Sequence, residues 1–404
     1  MLSDGVHHGR IGGAGCADAG GAEMRIALIT ETFLPNVNGI VTTLCRLLEY
    51  AQSKGHETLL FAPQESPAQY AGAQIIPLRG IPFPLYPDIR FTPPQPGIVP
   101  ALRQFRPDLI HLAGLMVLGP AARFAARQLR IPAIATYHTD LPAYSVHYGL
   151  GALREAAYSY LRWIHNACTL TLCPSSTILA DLRRRGFRRL RLWGRGVDTV
   201  RFHPAHRREE WRTAIGARAD ERVLLYVGRL AAEKRLDLLA EALRGMDGVR
   251  LVLIGDGPAR PSLERRFAGM PVTFTGFLNG HDLAVAYASA DIFVFPSDTE
   301  TFGQVVQEAM ASGLPVVAAH AGGVIDLVRH EETGVFFDPG SAYSLRSAVS
   351  RLVTNPTLRI AWGQAGRIAA EQRSWPRVLD ELMEYYRRAL RWRPRLLSLR
   401  RARP

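Results

Sequence analysis

Two glutamates separated by seven residues form the spacing in this chain that most directly indicates chemistry. Glu300 is predicted to lie in a loop after the apolar run Ile292–Phe295, and Glu308 lies a little over one turn into the next helix. Carboxylates accept hydrogen bonds from neighbouring hydroxyl groups, and the N–H groups that open a helix attract phosphate. The segment therefore favours a ligand with hydroxylated rings on both sides of a phosphate, held by the glutamates and by Thr301, Phe302, Gly303 and Gln304.

The alternative interpretation of this segment is an acidic helix start that the helix dipole stabilises. Gly303 stands inside that helix start, and apolar residues flank Glu308 and would bury it. Both features disfavour the alternative, so ligand binding is the better interpretation of the pair.

Two cations follow another predicted strand, Arg222–Val227. Arg229 lies just beyond its end and Lys234 follows five residues later, as one of only two lysines in the chain. Positive groups at this place can neutralise a departing diphosphate. The chain contains no Asp-x-Asp motif to hold a metal ion, so we expect no metal site. A pair of solvent-exposed cations is the alternative.

Two further candidates follow strands of the first half. Gly39 begins the predicted helix after the loop Glu31–Asn38, where N–H groups and the helix dipole attract an anion. This loop lacks the Gly-x-Gly-x-x-Gly pattern, which counts against a dinucleotide dehydrogenase; an ordinary turn glycine is the alternative.

His138 directly follows the strand Ala133–Tyr137. A lone histidine is more often structural, but we expect this one to face the glutamates and bond a sugar hydroxyl or the reacting centre.

A turn with two glycines ends a further strand, at Ile254-Gly255-Asp256-Gly257-Pro258. We expect a tight turn there. Asp256 is expected to cap the following helix rather than to contact a ligand.

Both halves of the chain alternate apolar strands with helices, which predicts a doubly wound α/β architecture with parallel sheets. Ligands of such sheets bind beyond the carboxyl ends of the strands, where the residues above lie. The pattern restarts after a joint near Gly196–Arg208, so we expect two Rossmann-like domains that face each other. The other predicted strands are Met24–Thr30, Glu57–Ala62, Gln74–Leu78, Asp108–Leu112, Thr169–Cys173, Arg250–Ile254, Val272–Phe277 and Pro315–Ala319, and helices at 341–354, 356–372 and 376–392 end the chain.

Composition fits two globular cores. The 404 residues are 47% hydrophobic, and no apolar run is long enough to cross a bilayer. Residues 1–23 lack the apolar stretch of a signal peptide; we expect them to be disordered, with Met24 as a candidate start. The four cysteines, Cys16, Cys45, Cys168 and Cys173, show no metal or redox spacing, which favours reduced thiols in the cytoplasm.

The net charge of +13 is concentrated at one end. Residues 387–404 contain eight arginines and no acid, so the excess is a local tail rather than a broad nucleic-acid surface. Together with Trp392, Leu396, Leu397 and Leu399, this tail is suited to anionic lipid at the inner face of the plasma membrane. A solvated tail is the alternative.

With these motifs the chain resembles the retaining glycosyltransferases of family 4, which have the GT-B fold, over about Met24–Tyr386. The most specific element is the Glu-x7-Glu segment. The resemblance is supported by Gly39, by Gly228-Arg229 with Lys234, by Gly255-Asp256-Gly257 and by Gly196-Val197-Asp198.

The resemblance implies a role for each candidate. Glu300 grips hydroxyls of the donor sugar, Glu308 holds the ribose, and Arg229 and Lys234 bind the diphosphate. Gly39 lets the diphosphate approach the backbone. The implied catalytic residues are His138 at the reacting centre, Glu300, Arg229 and Lys234, and we place Asp140 and Tyr144 on the acceptor side.

The fold of this family also implies the domain layout. We expect a disordered extension at 1–23, an N-terminal acceptor domain at 24–198 and a C-terminal nucleotide-sugar domain at 199–375. A helix at 376–392 is expected to cross back to the first domain, before the basic tail at 393–404.

Two details refine the resemblance. Many members have Gly-Gly where this chain has Asn38-Gly39, so its phosphate loop is one glycine poorer. The segments Tyr137–Asp140 and Leu192–Asp198 resemble the lipid-glycosylating branch, which contains GDP-mannose-dependent α-mannosyltransferases and sulfoquinovosyl diacylglycerol synthases. Residues 302–308 are more similar to the mannosyltransferases.

The expected function is transfer of a hexose from a nucleotide sugar to a lipid-linked or glycan acceptor. The favoured donor is GDP-mannose, which would supply mannose. Retention of configuration, no metal and no further cofactor are expected. Since no carboxylate is placed as a covalent nucleophile, we expect front-face attack assisted by the departing phosphate.

Three other functions stay open at this point. A sulfoquinovosyl- or glucosyltransferase would use a UDP-sugar and diacylglycerol. A nucleotide-sugar epimerase of the same fold would need no acceptor and would not favour the Glu-x7-Glu segment. A nucleic-acid-binding protein would use Arg183–Arg195 and the tail, but no aromatic stacking platform accompanies either stretch.

Overall fold

Two largely parallel sheets account for the alternation of strands and helices. The computed structural model describes residues 23–36, 38–83, 86–91, 95–114, 117–138, 140, 142 and 151–391. The expected extension at 1–23, apart from its last residue, lies outside this part, as do Cys16, Tyr144 and the basic tail from Trp392 onward.

The first sheet has the order β10-β9-β8-β7-β1-β2-β4-β3, and only β3 runs antiparallel to its neighbour. Its central strands are continuous apolar runs because helices cover both faces. A separate hairpin of β5 and β6 stands beside it. The strands are β1 Arg25–Ile29, β2 Glu57–Pro63, β3 Gln69–Tyr70, β4 Ala73–Leu78, β5 Ile81–Phe83, β6 Tyr86–Phe91, β7 Leu109–Leu112, β8 Ala133–Thr136, β9 Leu170–Cys173 and β10 Leu190–Leu192; the helices are α1 Gly39–Ser53, α2 Ile98–Phe105, α3 Gly119–Leu129, α4 Arg154–His165 and α5 Ser176–Arg184.

The second sheet is parallel throughout, in the order β13-β12-β11-β14-β15-β16. The order reverses between β11 and β14, and open parallel sheets bind their ligands beyond the strand ends at such a point. The strands are β11 Arg222–Val227, β12 Val249–Ile254, β13 Val272–Gly276, β14 Ile292–Phe295, β15 Val316–Ala319 and β16 Gly334–Phe337; the helices are α6 Glu209–Ala214, α7 Asp237–Leu243, α8 Arg260–Arg266, α9 Gly280–Ser289, α10 Gln304–Ala311, α11 Ala342–Thr354, α12 Pro356–Glu371 and α13 Trp375–Arg391.

The last helix returns to the first sheet, as expected. Buried apolar residues of α13, from Trp375 to Ala389, share one core with β1, α1 and β7. Trp193 is buried beside it and donates its indole N–H to the Val378 carbonyl at 3.0 Å. The segment that leaves the first sheet and the helix that returns to it are therefore packed together.

The structure confirms the predicted helices and main strands to within two residues and adds short elements. Strands β3, β10 and β16 lie at sheet edges, and β5 and β6 stand outside both main sheets. The expected cap by Asp256 is wrong: α8 begins at Arg260 with Ala259 at its N-cap and no side-chain capping bond. Asp256 instead accepts from the Gly257 N–H at 2.7 Å and lies 3.3 Å from Arg260, because the turn continues beyond Pro258 before the helix starts.

Candidate functional site

The two loops that flank the reversal of strand order in the second sheet carry the predicted ligand-binding residues. The loop after β11 holds Arg229 and Lys234, and the loop between β14 and α10, residues 296–303, holds Glu300. We call the second one the β14–α10 loop. Because β11 and β14 are neighbours, both loops open at the same end of the sheet.

An ion pair joins these two loops. Lys234 Nζ lies 2.6 Å from Glu300 Oε2, and the two side chains are only 14% and 20% exposed. Burial alone would raise the pKa of the Glu300 carboxyl. Lys234, followed by the charge of Arg195, outweighs burial and holds this pKa below its ordinary value. Glu300 is therefore a carboxylate at neutral pH, ready to accept hydrogen bonds from hydroxyl groups.

Gly322 and Gly323 pack against the backbone of the β14–α10 loop. Gly323 donates its N–H to the Glu300 carbonyl at 2.7 Å. A Cβ on Gly323 would overlap the Thr301 carbonyl, and one on Gly322 would meet the Glu300 backbone. This close backbone contact requires residues without side chains and fixes the position of Glu300.

Helix α10 starts at the end of this loop and carries the second glutamate. Gly303 stands at its N-cap with φ 95°, a left-handed conformation that favours glycine and leaves no side chain to cap the helix. Glu308 accepts from the Tyr287 hydroxyl at 3.0 Å. Burial raises the pKa of Glu308 to about 7, although the bond from Tyr287 opposes this shift. The two glutamates thus differ in character: Glu300 is firmly ionised, and Glu308 titrates near neutrality.

Three side chains at the start of α10 contact the first half of the chain. The Thr301 hydroxyl donates to the His138 carbonyl at 3.2 Å, and Gln304 Nε2 donates to the Gly196 carbonyl at 3.0 Å. Phe302 is buried, and a Cβ on Gly194 would lie 3.0 Å from its ring. These side chains join the two halves, so any bond from Thr301 to Gln304 to a phosphate must come from the backbone N–H groups.

His138 lies beyond the end of β8, and its carbonyl accepts from Thr301, the residue after Glu300. Its Nδ1 lies 3.4 Å from Nη2 of Arg195. A guanidinium can only donate, so Nδ1 accepts and the ring proton of the neutral imidazole is on Nε2. Burial lowers the pKa of His138 well below its ordinary value, and the charge of Arg195 lowers it further. His138 is consequently a neutral hydrogen-bonding group.

Gly39 is at the start of α1, as predicted, but this helix end is not open to an anion in the expected way. Asn38 is the N-cap, and its Oδ1 accepts from the N–H groups of Ile40 and Val41 at 3.0 Å each. A Cβ on Gly39 would overlap Nη1 of Arg195. Asn38 thus already satisfies two of the N–H groups that were expected to be unpaired, and phosphate binding at Gly39 stays a prediction.

The remaining candidates occupy different surroundings. The Arg229 side chain is exposed, and its carbonyl accepts from the buried Tyr226 at 3.1 Å. Asp140 is buried and accepts from the hydroxyls of Tyr137 and Tyr158, at 2.9 Å each. Tyr144, the other residue predicted on the acceptor side, lies outside the described residues.

Sequence reasoning missed the roles of Arg195 and of Gly322-Gly323. Arg195 was visible only as part of the segment Leu192–Asp198, inside an arginine-rich stretch. The glycine pair begins three residues after the end of β15. This position could have indicated that the pair lies at the same end of the sheet as the β14–α10 loop.

No group of three or more His, Cys, Asp or Glu side chains among the described residues could hold a metal ion. Within the same part of the chain, no helix has the length and apolar character needed to span a bilayer.

Comparisons with known families match both halves of the chain. Residues 37–201 match the model described as Glycosyltransferase Family 4, and residues 207–369 match that described as Glycosyl transferases group 1. The boundary between the two matches falls in the segment where the two sheets join.

Individual relatives and a solved structure agree with these matches. The chain is 38% identical, over 90% of its length and 88% of the relative's, to a GDP-mannose-dependent alpha-mannosyltransferase of Corynebacterium glutamicum. It is 37% identical to the sulfoquinovosyl transferase SQD2 of Arabidopsis thaliana, over 87% of this chain and 71% of the relative. Anabaena HepE in complex with UDP and glucose has a similar fold, with a TM-score of 0.74 and 19% identity over 91% of this chain and 100% of HepE.

The glycine support of the β14–α10 loop generates a prediction. Gly323→Ala should lower the free energy of unfolding by about 1–3 kcal/mol, because the new methyl group overlaps the Thr301 carbonyl. Gly97→Ala is the matched control, since nothing lies within 4 Å of a Cβ there. Chemical denaturation followed by fluorescence measures both. Equal stability of the two variants would contradict the close contact.

Proposed function

The chain belongs to glycosyltransferase family 4, and from this premise we propose that it transfers mannose from GDP-mannose to a lipid-linked acceptor, with retention of configuration and without a metal ion. That it is a hexosyltransferase with a nucleotide-sugar donor follows from the family and its relatives. The choice of GDP-mannose is supported by the name of the 38% identical relative. The lipid acceptor is supported by other relatives, such as the alpha-monoglucosyldiacylglycerol synthase of Streptococcus pneumoniae at 31% identity.

The observation that carries the proposal is the buried Lys234–Glu300 ion pair, one residue from the contact between Thr301 and His138. In the proposed complex, Glu300 accepts bonds from hydroxyls of the mannose, and Lys234 lies next to the charge that develops on the departing diphosphate. Arg229, exposed at the end of β11, adds a second positive group. Backbone N–H groups at the start of α10 bind the phosphates, and Glu308 binds the ribose hydroxyls.

The proposed reaction proceeds at the front face of the sugar. The bond between the anomeric carbon and the diphosphate oxygen breaks, and the acceptor oxygen bonds to the same face and gives its proton to the departing phosphate. Glu300 is held in an ion pair, which suits a positioning role better than that of a nucleophile. The Nε2–H of neutral His138 donates a hydrogen bond to the sugar at the reacting centre. Positioning and charge stabilisation then supply the rate enhancement.

The acceptor is proposed to enter from the first half of the chain. Asp140 follows His138 by two residues, and together with Tyr137 and Tyr158 it forms a buried polar cluster on that side of the site. Asp140 is therefore proposed to shape the acceptor side through Tyr137 and Tyr158, and Tyr144 remains a predicted acceptor residue.

Removing either member of the ion pair tests this proposal. Glu300→Ala and Lys234→Ala should each lower turnover with GDP-mannose and a lipid acceptor by about 100-fold or more, the scale of losing one preorganised electrostatic contact. Product mass measures the rate, and NMR of the product should show a retained anomeric configuration.

Glu57→Ala is the control. Glu57 forms an ion pair with Arg25 that is about half-exposed to solvent, and both residues lie at the start of their strands, at the end of the first sheet opposite to the strand carboxyl ends. Wild-type rates for Glu300→Ala and Lys234→Ala would contradict the mechanism, and an inverted product would contradict its stereochemistry. Turnover with a UDP-sugar and none with GDP-mannose would show that the donor is a UDP-sugar.

The titration of Glu308 gives a second prediction. Its pKa of about 7 means that the carboxyl is largely protonated at pH 6 and ionised at pH 8. Since the ionised form is the better acceptor for ribose hydroxyls, the affinity for GDP-mannose should rise with pH over this interval, by up to about 10-fold per unit. Glu308→Gln should bind more weakly and lose this dependence. Calorimetric titration at several pH values measures both, and identical pH profiles would refute the role of Glu308.

The arginine-rich tail is proposed to hold the enzyme at the cytoplasmic face of an anionic membrane, where a lipid acceptor is found. Each arginine near such a surface contributes about 1 kcal/mol. A chain that ends after Arg391 keeps all of α13 and loses residues 392–404, which contain five of the eight arginines. It should float less with vesicles of anionic lipid than the full chain does, and neither should float with neutral vesicles. Equal flotation of both chains would defeat the membrane role.

A further inference from the structure

The amino end of α1 is already occupied by a side chain of its own loop. Asn38 Oδ1 accepts from two N–H groups of the first turn, and Asn38 Nδ2 donates to the Thr32 hydroxyl at 3.1 Å. The side chain is thus fixed at both ends. A phosphate could bind the N–H groups of Ile40 and Val41 only by displacing it.

The space above this helix end is taken by Arg195. A Cβ on Gly39 would overlap Nη1 of Arg195 and would lie 3.2 Å from its Cζ. The φ angle of Gly39 is not in the left-handed region, so backbone conformation does not require a glycine here. A side chain at this position would instead have to displace the guanidinium of Arg195.

Arg195 also reaches the two groups that flank the reacting centre. Its Nη2 lies 3.4 Å from His138, and its charge lowers the pKa of Glu300 on the opposite side of the cleft. The guanidinium therefore lies between the first turn of α1 and the end of β8, and its charge acts on Glu300 of the β14–α10 loop.

The backbone on both sides of Arg195 is held tightly. A Cβ on Gly196 would lie 2.6 Å from the Cα of Trp375, and the Val197 N–H donates to the Arg373 carbonyl at 3.0 Å. On the other side, Gly194 fits against Phe302 and Arg373. The start of the Arg195 side chain is therefore fixed in place, and its planar guanidinium presents its donors in a pre-organised fork.

From this geometry we propose that Arg195 binds the donor's diphosphate from the first half of the chain, in the place where an open α1 helix end would bind it. This inference rests on the proposed function and assigns one more residue to the same site. A guanidinium forms paired, charge-assisted hydrogen bonds with phosphate oxygens. The diphosphate is then held between Arg195 on one side and Lys234 with the start of α10 on the other.

The role of Gly39 changes accordingly. It leaves room for the guanidinium rather than for the phosphate itself. A methyl group at this position should displace Arg195, so Gly39→Ala and Arg195→Ala should remove the same interaction.

Binding measurements on a double-mutant cycle test this inference. Arg195→Ala should weaken binding of GDP and GDP-mannose by about 10- to 100-fold, the range for a hydrogen bond to a charged group, and should leave guanosine binding unchanged. Gly39→Ala should cause a similar loss, and Gly39→Ala/Arg195→Ala should bind no more weakly than either single variant. Arg191→Ala, in the exposed part of β10, is the matched control and should bind as the wild type does.

A third variant examines the helix end directly. Asn38→Gly restores the second glycine and frees the N–H groups of Ile40 and Val41. In the Arg195→Ala background it should recover part of the lost GDP affinity. Thermal unfolding of each variant establishes that it is folded.

The opposite results would overturn the inference. Unchanged GDP affinity of Arg195→Ala, an equal loss of guanosine affinity, or multiplied losses in the double variant would each show that Arg195 does not bind the diphosphate. Failure of the wild type to bind GDP-mannose would instead refute the proposed donor, and the same series would then be measured with UDP or ADP, whichever the wild type binds.

Discussion

The buried ion pair between Lys234 and Glu300 is the interaction on which the cleft depends. It brings a carboxylate into surroundings that would otherwise favour its neutral form, and the cost of burying two charges is offset by their 2.6 Å contact. It also ties together the loops that follow β11 and β14, the two strands between which the order of the sheet reverses. The ion pair thus places opposite charges at the point of the sheet where such folds bind their ligands.

The cleft is completed by contacts between the two halves of the chain. Thr301 and Gln304 donate to backbone carbonyls of the first half, and Phe302 packs beside Gly194. The same joining segment is packed against α13, which returns from the second half. Because the loop that carries Glu300 also carries these contacts, the position of Glu300 and the approach of the two halves are physically coupled.

Much of this arrangement could be predicted from the sequence, since long apolar runs specify buried parallel strands and the residues after them must meet at one end of the sheet. The positions of Glu300, Lys234 and His138 just beyond strand ends follow from this rule, whereas their roles stay predictions. The ion pair itself could not be predicted, because spacing along the chain does not show which charges meet in space. Edge strands such as β10 were missed because alternating arginine and leucine residues resemble a solvated charge run.

The loop before α1 shows a further limit. Asn38 was interpreted as a missing glycine, whereas the structure shows it as a helix cap. Arg195, remote in sequence, occupies the space above its neighbour Gly39. The proposed replacement of one anion-binding group by another depends on a long-range contact, which cannot be predicted from the sequence pattern of a helix start alone.

The most direct measurement of the central claim is a crystal structure of the full chain with intact GDP-mannose. The account predicts the sugar beside Glu300, the two phosphates between the start of α10 with Lys234 and the guanidinium of Arg195, and the ribose at Glu308. Clear density for the donor outside this cleft, or in the cleft with the sugar and nucleoside ends exchanged, would contradict it.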